Sequence, residues 1–69
     1  MDPHPEKQLS PQMQRIISLI AQGKSRKTIA QEMSLSVNTV RSYLYKAYDR
    51  LGVHNAPEAV YLAGQLGLL

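Results

Sequence analysis

The 69 residues include no cysteine, tryptophan or phenylalanine. Without cysteine there is neither a disulfide framework nor a thiolate metal site. The two histidines, His4 and His54, have no second ligand near them in sequence, so no metal and no cofactor are expected. No apolar run approaches the ~18 residues of a membrane-spanning helix, and nothing resembles a signal peptide. These absences fit a cytoplasmic protein with no membrane partner. Serine, histidine and acidic residues are present, but no pair of them falls where a shared catalytic site is plausible, and a chain this short has little core from which to build a pocket. An enzyme is the least supported class.

Acidic residues are scarce in the middle of the chain. Residues 24–50 carry Lys24, Arg26, Lys27, Arg41, Lys46 and Arg50 against Glu32 and Asp49, a net of +4, while residues 1–23 balance to zero and residues 51–69 carry only Glu58. A concentration of cations in one segment is an electrostatic footprint for a polyanion. The hydrophobic fraction of 43% and charged fraction of 19% describe one globular domain with a small core.

Met1–Leu9 holds Pro3 and Pro5, two acids and no periodicity. It reads as a flexible arm or linker remnant, with the arm set at 1–8 and the domain at 9–69. Ser10-Pro11 opens a helix over about 11–22, Ser10 capping it and Pro11 sitting where its missing N–H is harmless. Met13, Ile16, Ile17 and Ile20 form its apolar stripe, with Leu19 beside it, and Gly23 ends it. Ser25 caps a second helix over 26–33, with Ile29, Ala30 and Met33 inward. Arg26 and Lys27 lie in its first turn, where the helix dipole disfavours cations unless an anion is close.

Three residues, Ser34-Leu35-Ser36, lead to the longest helix, 37–51, between the cap Ser36 and the stop Gly52. Val40, Leu44, Ala47 and Leu51 recur at i, i+4, i+7 and i+11 on one face. The opposite face carries Asn38, Arg41, Ser42, Tyr45 and Asp49, with Lys46 at its edge, an inventory suited to base edges and phosphates. A short helix, a tight turn and a longer polar-faced helix describe a helix-turn-helix. Asn55 and Glu58 match a capping box for a last helix over about 56–66, with Pro57 in its first turn. Ala59, Leu62, Ala63 and Leu66 face the domain. Val60, Tyr61 and Gly64 are expected to point outward as a self-association patch, where glycine lets two backbones approach. The fold expected is all-α, four helices around one core.

In sequence order, Leu19-Ile20-Ala21-x-Gly23, Lys27-x-Ile29-Ala30, Ser36-x-x-Thr39-Val40-Arg41, Leu51-Gly52-Val53 and Glu58-Ala59-Val60 make the chain resemble the LuxR-type (GerE-like) helix-turn-helix domain of bacterial transcription regulators over Leu9 to about Leu69. No single piece is specific, but the ordered set is. The resemblance implies a four-helix DNA-binding domain, such as the output domain of a response regulator, whose third helix enters the major groove of double-stranded DNA. It assigns base contacts to Arg41, Ser42 and Tyr45, to which Asn38 adds an amide able to pair adenine. It assigns phosphate contacts to Lys27, Thr39, Tyr43 and Lys46. Ser36 at the helix start and Arg26, where the family often has Asn, extend that phosphate set. The fourth helix would form a homodimer through Val60, Tyr61 and Gly64, with Pro57 beside them, on an inverted repeat. RNA polymerase or another regulator are further candidate partners.

The chain departs from the family pattern at Gln12-Met13, where packing is expected to replace a charge contact, at Ala56 before the last helix, and at Tyr45. Two rivals share parts of this pattern. A sigma-factor region-4 module has the same S-x-x-T-V-R turn but not the segment running through Glu58-Ala59-Val60. A helix-turn-helix repurposed for protein–protein interaction would use Tyr43, Tyr45, Tyr48 or the last helix. Whether the chain is a whole protein or part of a larger regulator is open from the residues.

Overall fold

The helices are α1 (Pro11–Ala21), α2 (Arg26–Met33), α3 (Val37–Leu51) and α4 (Ala56–Gln65); this computed structural model describes residues 9–69, and no strand occurs among them. The architecture is all-α, as the apolar periodicity requires. The arm read at residues 1–8 lies outside the described residues. The first and last helices each stop one residue short of expectation, because Gln22 and Leu66 serve as C-caps.

Each helix starts on a side-chain cap. Ser10 Oγ accepts from the N–H of Met13 at 3.2 Å, Ser25 Oγ from Thr28 at 3.1 Å, Ser36 Oγ from Thr39 at 3.0 Å and Asn55 Oδ1 from Glu58 at 2.9 Å. Each bond satisfies a donor that has no partner inside its helix. The C-termini close by one device, a left-handed residue whose successor donates back across the last turn. Gly52 does this for α3, with the Val53 N–H reaching the Tyr48 carbonyl at 2.9 Å. For α2 the left-handed residue is Ser34, at φ 56°, and the Leu35 N–H reaches the Ala30 carbonyl at 2.8 Å. That left-handed serine makes the turn between the two helices abrupt.

The core gathers Met13, Ile16, Ile17 and Leu19 from α1, Ile29 and Ala30 from α2, Val40, Leu44, Ala47, Tyr48 and Leu51 from α3, and Ala59 and Ala63 from α4. Both α1 and α3 pack against all of the other helices, so each is buried over more than a single stripe. This explains two departures from the sequence reading. Leu19 is fully part of the core while Ile20 is half-buried, because Ile20 lies where α1 and α4 leave an open groove. Val60 does not point away: it is half-buried against Ile17, Ile20, Leu44 and Tyr48. Leu9, the first residue of the domain, is buried and joins the core. Met13 packs as expected, and the Arg50 guanidinium donates to its sulfur at 3.3 Å.

Candidate nucleic-acid interface

The polar face of α3 is an open surface. Asn38, Arg41, Ser42, Tyr45, Lys46 and Asp49 are all exposed, and the core-facing residues of the same helix are closed. Helical rotation divides the exposed set. Asn38, Thr39, Ser42, Tyr43 and Lys46 line a shallow groove of about 270 Å³ that holds an amide, two hydroxyls, a phenol and an ammonium. Arg41 and Tyr45, one turn apart, form the ridge on the other side and are outside that lining. Tyr43 is half-buried, packed on the core and lining the groove.

The first turn of α3 has a defined hydroxyl geometry. The Ser36 hydroxyl accepts from the Thr39 N–H and donates to Thr39 Oγ1 at 2.9 Å. The same arrangement recurs at the start of α2, where Ser25 Oγ donates to Thr28 Oγ1 at 3.1 Å and caps its N–H. Thr28 has no role in the sequence reading, although its S-x-x-T spacing repeats that of Ser36 and Thr39. Arg26 and Lys27, exposed in this turn, complete a cluster of donors.

Among the described residues, Arg26, Lys27, Arg41 and Lys46 have no carboxylate partner, whereas Lys24 Nζ is bound to Glu32 Oε1 at 2.6 Å. Pairing therefore offsets the charge of Lys24 and leaves Arg26, Lys27, Arg41 and Lys46 as the cations of α2 and α3 with no carboxylate among the described residues. At the other end of the chain, Pro57, Tyr61 and Gly64 share the outer face of α4, with Val60 at its inner edge. Tyr61 is 70% exposed. It stands between two open grooves, one lined by Ile20, Ala21, Ala56, Pro57 and Val60, the other by Val53, Pro57, Glu58 and Leu62. Neither shares a residue with the α3 groove. No group of acids and histidines able to hold a metal occurs among the described residues, and no helix there is long and apolar enough to cross a membrane.

A three-residue turn opened by left-handed Ser34, a buried inner face on α3 and cations on its outer face with no carboxylate partner among the described residues are the geometry of a helix-turn-helix. The chain belongs to the luxR family of bacterial regulatory proteins, whose family model matches residues 7–63. It is 42% identical over 59 residues to the probable HTH-type transcriptional regulator GfsR of Streptomyces halstedii, covering 86% of this chain and 24% of that protein. It is 36% identical over 59 residues to the transcriptional regulatory protein DesR of Bacillus subtilis (86% and 30%), and 33% identical over 60 residues to the response regulator UvrY of Escherichia coli (87% and 28%). The chain thus spans less than a third of the length of these relatives. No solved structure matches it.

Proposed function

We propose that this domain binds double-stranded DNA sequence-specifically, in the cytoplasm, by placing α3 in the major groove. The observation that carries the reading is the row of exposed donors on α3 and the first turn of α2, whose cations Arg26, Lys27, Arg41 and Lys46 have no carboxylate partner among the described residues, on helices whose other faces are committed to the core. Arg41 pairs a guanine through its planar fork, and Asn38, Ser42 and Tyr45 meet neighbouring base edges. Arg26, Lys27, Ser36, Thr39, Tyr43 and Lys46 hold phosphates. Each phosphate-bound cation displaces condensed counterions, so affinity falls as salt rises.

A single domain makes few base contacts. Two copies joined through Pro57, Val60, Tyr61 and Gly64 would bind an inverted repeat with half-sites about one helical turn apart. The named relatives are longer regulators, one of them a response regulator, so the chain acts as the output part of such a protein. Any further partner, such as RNA polymerase, would be recruited on the promoter.

Fluorescence anisotropy with duplex DNA over a salt series tests this. Arg41→Ala should lose roughly 1–3 kcal/mol of discrimination between sequences. Lys27→Ala should weaken all sequences alike and reduce the salt slope by about one. An Arg41→Ala domain that keeps full affinity and sequence choice would remove α3 from the groove.

A further inference from the structure

We propose that Tyr45 reads the 5-methyl group of a thymine about two base pairs from the guanine held by Arg41, and that Tyr48 is the positioning residue for the Tyr45 ring. The proposal rests on the groove-docked reading of α3. Tyr45 is 60% exposed on an otherwise polar face, while Tyr43 is half-buried and Tyr48 is in the core. The base edges of the major groove present donors, acceptors and one kind of apolar group, the thymine methyl. An aromatic ring held against those edges has that methyl as its apolar match.

The ring is also held in place. Its centroid lies 6.0 Å from that of Tyr48 with the planes at 71°, the edge-to-face arrangement that ring quadrupoles favour. Tyr48 is fixed in turn among Ile17, Ile20, Leu44, Ala56 and Val60. Its hydroxyl is buried with no hydrogen-bond partner among the described residues, and its ring is wedged between α1, α3 and α4. Rigid support limits the ordering cost of contact and fixes where the ring can meet a base. The register follows from helix geometry. Four residues rise about 6 Å along α3, and one base pair occupies about 3.4 Å, so Arg41 and Tyr45 address pairs about two steps apart.

The test begins with duplexes selected by the parent protein from a randomised pool. Thymines in the selected half-site are then replaced one at a time by deoxyuridine, which removes only the methyl group. One replacement, about two pairs from the selected guanine, should weaken binding roughly fourfold per half-site, as loss of one buried methyl implies. That thymine–uridine difference should vanish in Tyr45→Ala and persist in Tyr45→Phe. It should be lost in Tyr48→Leu and restored in Tyr48→Phe, a pattern that general destabilisation would not produce. No uridine effect in the parent, or an effect that survives Tyr45→Ala, would overturn the proposal. So would a Tyr45→Phe loss equal on all sequences, which would assign the phenol to a phosphate. Failure of the parent to bind any duplex at low salt would instead overturn the groove-docked reading, and the thymine contact with it.

Discussion

Ser34 carries a conformational cost that its neighbours in the same role avoid. It is the one residue other than glycine at positive φ among the described residues, while Gly23, Gly52 and Gly67 hold the corresponding positions after the other helices. An L side chain in that basin costs roughly 1–2 kcal/mol, part of which glycine gives back through its freer unfolded chain. Ser34→Gly should therefore raise stability by about 0.5–1 kcal/mol. For a domain of this size the melting midpoint would rise by about 2–8 °C. A lower midpoint by circular dichroism would show that the serine side chain itself braces the turn. The helix-turn-helix turn was legible as a three-residue connection, but its left-handed closure was not, since serine carries no marker for that basin as glycine does. The Ser36–Thr39 hydroxyl bond was hidden for a similar reason. Spacing names the cap, but not the second contact, between the two hydroxyl oxygens at 2.9 Å.

Among the elements, α4 shows most clearly what a local pattern does and does not specify. The spacing from Asn55 to Glu58 announces the helix start, and the Asn55 side chain caps it. The Glu58 carboxylate does not return to the backbone of the cap residue, as the capping box would have it. It accepts from the Asn55 side-chain amide at 2.9 Å and from the His54 N–H at 3.3 Å. The loop before α4 is thereby tied to the helix it precedes. Asn55→Ala removes both the cap and the amide that holds Glu58, and should cost about 1 kcal/mol, lowering the midpoint by about 4–8 °C. An unchanged midpoint would mean that packing of Ala59 and Ala63 alone sets this helix. On α3 four of the five buried residues, Val40, Leu44, Ala47 and Leu51, were legible from their spacing. The fifth buried residue, Tyr48, stood at its edge, and only the closeness of α1 and α4 draws it in.

At the scale of the whole molecule, the outer face of α4 joins one copy to another in the function proposed above, and Gly64 separates stability from assembly. A Cβ added there would meet nothing within 4 Å in the single chain. Alanine in a helix is favoured over glycine by about 1 kcal/mol. Gly64→Ala should therefore stabilise the monomer while weakening self-association by about fivefold to 150-fold, since an added methyl in a close-packed contact costs about 1–3 kcal/mol. Sedimentation equilibrium, read beside thermal melts, checks both. If stability and self-association rise together, the glycine is not at a close backbone contact, and Tyr61 with its flanking grooves must meet its partner some other way. Because the chain spans less than a third of its relatives' length, the measurement applies to the domain's own contribution to assembly.

Local sequence was sufficient for the helix starts, the helix order and the two faces of α3. Each of these depends on groups within four or five residues of one another: a capping oxygen, a run of N–H groups, an apolar repeat. The resemblance to the family extended that reading to DNA. Tertiary structure alone decided what depends on the crossing of distant segments. It drew Val60 and Tyr48 inward and opened the groove at Ile20. It propped Tyr45 against a buried ring and left Lys24 paired, while Lys27, Arg41 and Lys46 have no carboxylate partner among the described residues. These outcomes depend on distances between helices, and a hydrophobic repeat fixes only which way a side chain faces, not how closely another helix approaches it.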